Sequence, residues 1–466
     1  MKIKPLAFAI LAASTMSAGS IYATTASTQT PANTTSALTE TSKAVGNSST
    51  VSTGKTETST AAGQQANTTA PAKLPLNPEG TNSVTEIKSD QAYLQEELAE
   101  IDENNGIPFG QWDWYKHIHL SGLVNVDASY WSKPYFGQGT QETTASSYLS
   151  LATANLNVDA DFGDWVTAHM GFLYTNGSSP SVVNYSPSLR VNRRANMQEA
   201  YGTIANFNIA PFYVRAGQQF LPFSRYYLYP ITQSFTQILS QTDLPAVTAG
   251  FISQSGVYAT AYAANGIKEA NHSSSTINVY GAEMGYQNFN HSIGYDLGLG
   301  YLNNLADVDS IRDIANDNNG YTRSAGGLSA YGDLYAGPFG FGVRYVGALR
   351  RFSPVDYQFT NGTVNKGAKP TAVGVNTDYN FKTWGHNSRI ELGFQWTTQA
   401  HNTASGVSLN NVTRLPKTRW LVEYGFNLIR HVALGLQFYQ DHDYSAKYGG
   451  TNKKDNVVTA RISFLF

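Results

Sequence analysis

The chain has 466 residues, a net charge of −2 at pH 7, no cysteine, and charged residues at only 14 %. The near-neutral charge excludes the strongly basic surface that nucleic-acid binding requires, and the absence of cysteine excludes an acylated lipoprotein. No internal run of 18 apolar residues exists, so a transmembrane helix is also excluded.

Two segments precede any folded part. Residues 1–23 predict a signal peptide, because Lys2 and Lys4 come before a short apolar stretch and Ala23 offers a small residue for cleavage. Residues 24–82 are rich in Ser and Thr, and no aromatic residue occurs through the Ser/Thr-rich part. Such a composition buries too little surface to offset its ordering entropy, so we expect a disordered linker.

Residues 83–104 predict a short periplasmic helix. Its apolar residues alternate in spacings of three and four, with one polar position at Gln91: Val84, Ile87, Leu94, Leu98 and Ile101. This is a coiled-coil seam of three heptads, and Leu98 at a with Ile101 at d favours three or more strands. We expect a homo-oligomer through residues 84–101; a lone amphipathic helix on the barrel rim is the alternative.

The segment 112–466 predicts an outer-membrane β-barrel. Trp112, Trp114 and Tyr115 form an interfacial aromatic cluster before it. Residues 117–131 then alternate between two faces. The apolar face comprises Ile118, Leu120, Val124, Val126, Ala128 and Tyr130, and the polar face comprises His119, Ser121, Asn125, Asp127 and Ser129. A lipid-facing Asp is costly, so the polar face must line the lumen.

The same alternation recurs to the end of the chain. In the second strand we expect Ala152, Ala154, Leu156, Val158, Ala160 and Phe162 to face outward. Among the later predicted strands, the alternation of apolar and polar residues is clearest at 292–302, 339–350, 387–396, 419–426 and 431–441. The last stretch, 457–466, alternates and ends on Phe466, which is typical of a strand that closes an outer-membrane barrel.

Short and long connections alternate along the barrel segment, as expected for periplasmic turns and external loops. The fold class is therefore all-β: a transmembrane antiparallel β-barrel of about 16 strands, preceded by a disordered tether and a short coiled-coil helix. An even strand number places both ends of the barrel in the periplasm of a Gram-negative cell, with outer-membrane lipid around it.

A barrel of this size holds a water-filled lumen. The pore-lining candidates are Asp127, Asp159, Asp161, Arg344, Arg350, Arg389, Glu391, Arg419, Glu423 and Arg461. Because the arginines concentrate in the C-terminal half, we expect one basic and one acidic wall, a transverse field, and a preference for anionic solutes. The alternative is that these charges pair across strands and hold the wall.

The loop 221–248 is the longest and richest in aromatic residues, so it is predicted to fold inward as a constriction through Phe223, Tyr226, Tyr227 and Tyr229. A packed external cap is the alternative. The acidic loop 303–324 lacks the first ligand of a calcium-binding register because position 315 is Ala, and it is interpreted as a solvated loop without metal.

Motifs for metalloproteases, serine hydrolases and P-loop enzymes are missing from the sequence, so no enzyme and no cofactor is predicted. Two classes of function stay open. One is a transport protein for a small polar solute. The other is a surface binding protein, such as an adhesin-type barrel, whose loops matter more than its pore.

Over residues 83–466 the chain resembles the outer-membrane siderophore porin family typified by the legiobactin receptor of Legionella-type bacteria. The resemblance rests on the coiled-coil stretch and on three motifs: residues 106–109 (G-I-P-F), 119–122 (H-L-S-G) and 216–223 (A-G-Q-Q-F-L-P-F). Ser224 stands where the family pattern has Gly.

The resemblance implies a channel or receptor that imports ferric siderophore. The polar region before the barrel is unsuited to form a globular plug, so such uptake is expected not to depend on the proton-motive force. A general, sugar-selective or anion-selective porin is the alternative within the transport class.

Overall fold

A computed structural model describes residues 118–133, 145–162, 165–175, 194–207, 209–226, 231–253, 255–267, 269, 276–288, 293–312, 320–403 and 414–466. The predicted signal peptide, linker, coiled-coil helix and aromatic cluster at 112–115 lie outside these residues and stay predictions. In the part that is described, we find no helix with the length and apolar character needed to cross a membrane.

Sixteen strands of the described residues close into one antiparallel barrel, which confirms the predicted class and strand number. In chain order the strands are β1 Ile118–Trp131, β2 Ser146–Phe162, β3 Val166–Thr175, β4 Arg194–Ala205, β5 Phe212–Phe220, β6 Asp243–Ile252, β7 Val257–Asn265, β8 Ile277–Asn288, β9 Ile293–Leu302, β10 Gly327–Ala336, β11 Phe339–Ala348, β12 Gln358–Asn361, β13 Val364–Gly367, β14 Thr371–Thr383, β15 His386–Thr398, β16 Thr418–Ile429, β17 Val432–His442 and β18 Lys454–Leu465. Strands β12 and β13 form a separate hairpin.

The last strand closes the barrel as predicted. Strand β18 pairs with β17 on one side and with β1 on the other, and the register sets Val124 opposite Phe464 and Asp127 opposite Arg461. All other barrel strands pair with their neighbours in sequence, except that β11 pairs with β14 because the β12–β13 hairpin belongs to the loop between them. No edge is left unpaired, as a lipid environment demands.

The two faces of the strands have opposite character. Leu120 and Phe464 on the outer face are 63 % and 43 % exposed, whereas Asp127 on the inner face is fully buried. The assignment of Ala152 to the outer face is wrong, since this residue is fully buried. The pairing of β1 and β2 shifts register between Asn125 and Val126, so a bulge at Ala152 reverses the alternation locally.

The two ends of the barrel differ in their connections. Seven short turns join β2–β3, β4–β5, β6–β7, β8–β9, β10–β11, β14–β15 and β16–β17, and the long connections lie at the other end. Strand β1 begins and β18 ends at the short-turn end, as an even number of strands requires.

The main apolar core lies inside the barrel at its long-loop end. The connection from β5 to β6, residues 221–242, which we call the inward loop, contributes Leu221, Phe223 and the helix α1, Phe235–Ile238. It packs on inner-wall residues such as Leu302 and on the 3₁₀ helix Leu305–Asp307 of the next long loop. The lumen therefore holds a folded segment.

Candidate pore constriction

The inward loop crosses the lumen from its own strands to the opposite wall. The amide of Ile231 donates to Glu423 Oε2 on β16 at 2.7 Å, and the amide of Phe235 donates to Gln395 Oε1 on β15 at 2.7 Å. Counted round the barrel, β15 is eight strands from β5 in either direction, which is diametrically opposite. These contacts hold part of the segment inside the barrel. Strand β6 begins at Asp243, so the loop comprises residues 221–242 instead of the predicted 221–248, and its role as a constriction stays a prediction.

Arg419 of β16 is the main far-wall anchor. Its Nε and Nη2 bind the two carboxylate oxygens of Asp441 on β17 at 2.7 and 2.8 Å. Its Nη1 donates to the carbonyl of Gln233 in the loop at 3.2 Å. The guanidinium lies 4.6 Å from the ring centre of Phe235 and 4.4 Å from that of Tyr439. One arginine therefore joins two wall strands to the loop.

On the near wall, Arg225 of the loop forms an ion pair with Asp296 of β9, and its Nε lies 4.0 Å from Glu283 Oε1. The carbonyl of Arg225 accepts from Arg344 Nε at 3.1 Å. Arg344 is itself held by Asp333 through two hydrogen bonds of 2.7 and 2.8 Å. These contacts satisfy buried charges that would otherwise be costly in the barrel interior.

A glycine makes room for the first turn of the loop. A Cβ atom at Gly300 on β9 would lie 2.0 Å from the carbonyl oxygen of Phe223, so no other residue fits without moving the loop. The same carbonyl accepts a short hydrogen bond from Ser329 of β10. Phe223 and Tyr226 are both buried, whereas Tyr227 and Tyr229 lie outside the described residues.

The structure brings four of the predicted inward arginines to carboxylates on neighbouring strands. Arg344 pairs with Asp333, Arg419 with Asp441, Arg461 with Asp127 and Arg389 with Glu423, the last at 3.7 Å. Acidic residues interleave with arginines in the C-terminal half, so the expected separation into a basic and an acidic wall is wrong. The alternative, in which the charges pair across strands, holds for these residues.

The remaining predicted residues differ in their surroundings. Glu391 stands in register opposite Glu423 and accepts from Asn376 Nδ2 at 3.3 Å. Asp159 binds His169 Nδ1 at 2.6 Å, and the Asp161 carboxylate lies 3.8 Å from His119. Both aspartate side chains are 47 % exposed on the inner face near the short-turn end. Whether these residues line a conducting pore stays a prediction.

The prediction that Arg350 lines the pore from strand β11 is wrong. Strand β11 ends at Ala348, so Arg350 lies beyond the strand, is exposed, and donates to the carbonyl of Ser324 at 2.5 Å.

The inward-facing charged residues that sequence reasoning missed are Arg225, Asp296, Asp333 and Asp441. Inward alternation along β9, β10 and β17 could have identified the three aspartates, but Arg225 belongs to a loop and carries no periodic signal.

The acidic loop after β9 is partly buried instead of solvated. Asp307 is 1 % exposed and accepts from the amide of Ile267 at 2.6 Å and from Asn304 Nδ2 at 2.9 Å. Burial raises the pKa of Asp307 to about 6, and the two hydrogen bonds oppose that rise. Among the described residues, no three Asp, Glu or His side chains converge so that they could hold a metal ion.

No protein-family model matches the sequence. The chain is 30 % identical over 392 residues to a UPF0422 protein of Coxiella burnetii, and the match covers 80 % of this chain and 77 % of the relative. The chain belongs to the UPF0422 family. A second UPF0422 protein, lpg2959 of Legionella pneumophila, is 25 % identical over 382 residues, with 75 % of this chain and 66 % of the relative covered.

The fold of this UPF0422 barrel is similar to that of a solved outer-membrane protein. The outer membrane channel DcaP of Acinetobacter baumannii superposes with a TM-score of 0.50 at 14 % identity, over 75 % of this chain and 97 % of that one. At this identity the similarity concerns the fold alone, a closed antiparallel β-barrel.

Proposed function

We propose that the protein is an outer-membrane channel for small polar solutes, narrowed by the inward loop. A closed barrel with an apolar outer face and a charged interior suits a bilayer, and it supports an outer-membrane location. The similarity in fold to the DcaP channel agrees with this proposal. The sequence lacks the motifs of metalloproteases, serine hydrolases and P-loop enzymes.

The crossing of the lumen by the inward loop carries the proposal. The loop reaches the diametrically opposite strand and is held there by hydrogen bonds from its own backbone, at Ile231 and Phe235. An external cap would instead pack on other loops. A segment fixed at this depth sets the cross-section that a solute meets, which is how constrictions control passage.

Single-channel recording in a planar bilayer tests the proposal. Gln395→Leu removes the acceptor for the Phe235 amide and is expected to raise the conductance and its noise. Gln440→Leu is the matched control, because Gln440 is on the outer face of β17, where it accepts from Trp420 Nε1. A folded wild-type barrel that never conducts would overturn the proposed channel function and favour a surface binding role.

We infer a narrower candidate, import of ferric siderophore, from the family resemblance. The resembling segment 216–223 ends β5 and begins the inward loop, so it forms the base of the constriction. Micromolar ferric carboxylate siderophore should block the conductance, whereas a disaccharide should not. If neither compound blocks the conductance, the protein is a general porin. In cells, loss of siderophore uptake when the proton-motive force is dissipated would contradict import without a plug.

A further inference from the structure

The long connections between β11 and β18 present basic side chains to solvent and bury acidic ones. Their acidic residues, Asp356 and Asp443, are each 1 % exposed and accept from the amides of Thr322 at 3.0 Å and Thr451 at 2.7 Å. The basic residues that are exposed here or at the adjoining strand start are Arg350, Arg351, Lys366, Lys369, Lys417, Lys447, Lys453 and Lys454. Residues 404–413, which the structure does not describe, contain no charged residue.

Two of these lysines continue the outward-facing positions of a strand at its long-loop end. Lys369 is two residues before Thr371 of β14, and Lys454, the first residue of β18, is four residues before Val458 on the outer face. Arg351 is beside Lys369, because Arg351 Nη1 and the Lys369 amide both donate to Gln399 Oε1, at 2.9 and 3.0 Å. We call Arg351, Lys369 and Lys454 the basic rim.

Aromatic rings occupy the lipid-facing surface directly below the basic rim. Trp396 of β15 and Trp420 of β16 are 37 % and 41 % exposed. The Trp420 ring lies 5.0 Å from that of Phe438 on β17. Phe438 is in register with Val458, four residues from Lys454, and Trp396 is in register with Val373, four residues from Lys369. Tryptophan concentrates at the level of lipid headgroups. The cations thus lie at the height of the headgroup phosphates.

From this arrangement we propose that the basic rim binds the phosphate groups of anionic lipid headgroups in the leaflet at the long-loop end. Lysine stems can extend along the apolar surface and carry their charge to the headgroup level, and arginine can hold a phosphate through two hydrogen bonds. On the other side of the barrel the long-loop end of β6 carries an acid, Asp243, bound to Gln218 at 2.6 Å.

The full-length protein, reconstituted separately into vesicles of brominated phosphatidylglycerol and of brominated phosphatidylcholine, tests the proposal. Bromine quenches nearby tryptophans, so Trp396 and Trp420 report the lipid at the rim. The difference between wild type and Trp396→Phe/Trp420→Phe isolates their signal. Each brominated lipid is then mixed with unbrominated phosphatidylcholine. In wild type, quenching of Trp396 and Trp420 should show brominated phosphatidylglycerol enriched at the rim several-fold over its fraction in the bilayer.

The test variant is Lys369→Gln/Lys454→Gln, and the control is Lys366→Gln/Lys447→Gln, which removes two exposed lysines outside the rim. One lysine at an anionic lipid surface contributes about a fivefold preference, so the test variant should lose most of the several-fold enrichment and the control should keep it. Absence of enrichment in the wild-type mixtures, or undiminished enrichment in the test variant, overturns the proposal. So does displacement by inorganic phosphate at matched ionic strength, which would indicate a site for soluble anions.

Discussion

Arg461 of the last strand and Asp127 of the first strand form a two-point ion pair across the seam of the barrel. Arg461 Nε lies 2.8 Å from Asp127 Oδ1, and Nη2 lies 3.0 Å from Oδ2. Asp127 is fully buried on the inner face. The pair joins residues that are more than three hundred positions apart, so it fixes the register in which the chain closes on itself.

Breaking this pair should weaken the closed barrel. Arg461→Met removes the two-point partner of a buried carboxylate, which typically costs about 3–5 kcal/mol in free energy of unfolding. The urea midpoint, read from the heat-modifiable gel mobility of the folded barrel, measures the loss. Arg461→Met/Asp127→Leu replaces both charges and should recover most of it. A single variant as stable as wild type would show that the seam does not depend on the pair.

Removing the far-wall anchor should loosen the constriction. Arg419→Gln loses the hydrogen bond to the Gln233 carbonyl and the contact with Phe235, so we expect larger and noisier single-channel currents. Because it also leaves Asp441 without its bidentate partner, the barrel should lose stability. Arg419→Gln/Asp441→Asn relieves the uncompensated charge but restores no loop anchor. Its currents should stay large while its stability recovers; wild-type currents in both variants would refute the anchoring role.

A side chain at Gly300 should displace the start of the inward loop. Gly300→Val places Cβ 2.0 Å from the Phe223 carbonyl oxygen, a contact that cannot be kept. We expect higher conductance from a barrel that still forms, since β9 remains paired with β8 and β10. Gly425→Ala is the control, because its Cβ would approach no atom closer than 3.8 Å. Unchanged currents in Gly300→Val would show that the loop is not seated there.

Protonation of Asp307 should stabilise the loop after β9 at low pH. Burial raises its pKa from an ordinary 3.8 to about 6 in the folded protein. The stability is therefore fully present below pH 4 and is lost as pH rises through 6, by up to about 3 kcal/mol. Amide exchange of the peptide 305–311, corrected for intrinsic rates, should show less protection at pH 8 than at pH 5. Asp307→Asn keeps an acceptor for Ile267 and should remove most of this pH dependence; a variant with the wild-type profile would contradict the assignment.

The architecture follows from local pattern. Side chains alternate between the faces of a strand, so Asp127, Glu391 and Arg419 could be assigned to the inner face from sequence alone. The even strand number and the closing role of Phe464 and Phe466 follow from the same periodicity. Ala152 shows where this reasoning fails, because a one-residue bulge changes the face without any sign in the residue type.

The path of the inward loop and the partners of its charges were decided by tertiary structure. The length and aromatic content of the loop predicted that it folds inward. Its contact with Gln395, however, depends on which strand lies opposite β5 in the closed barrel. Arg344 and Arg419 were found as inward residues, but their pairing with Asp333 and Asp441 depends on strand register. Strand periodicity is a property of a few neighbouring residues, whereas register and the seating of the loop arise from contacts between distant segments, and these form only when the barrel closes.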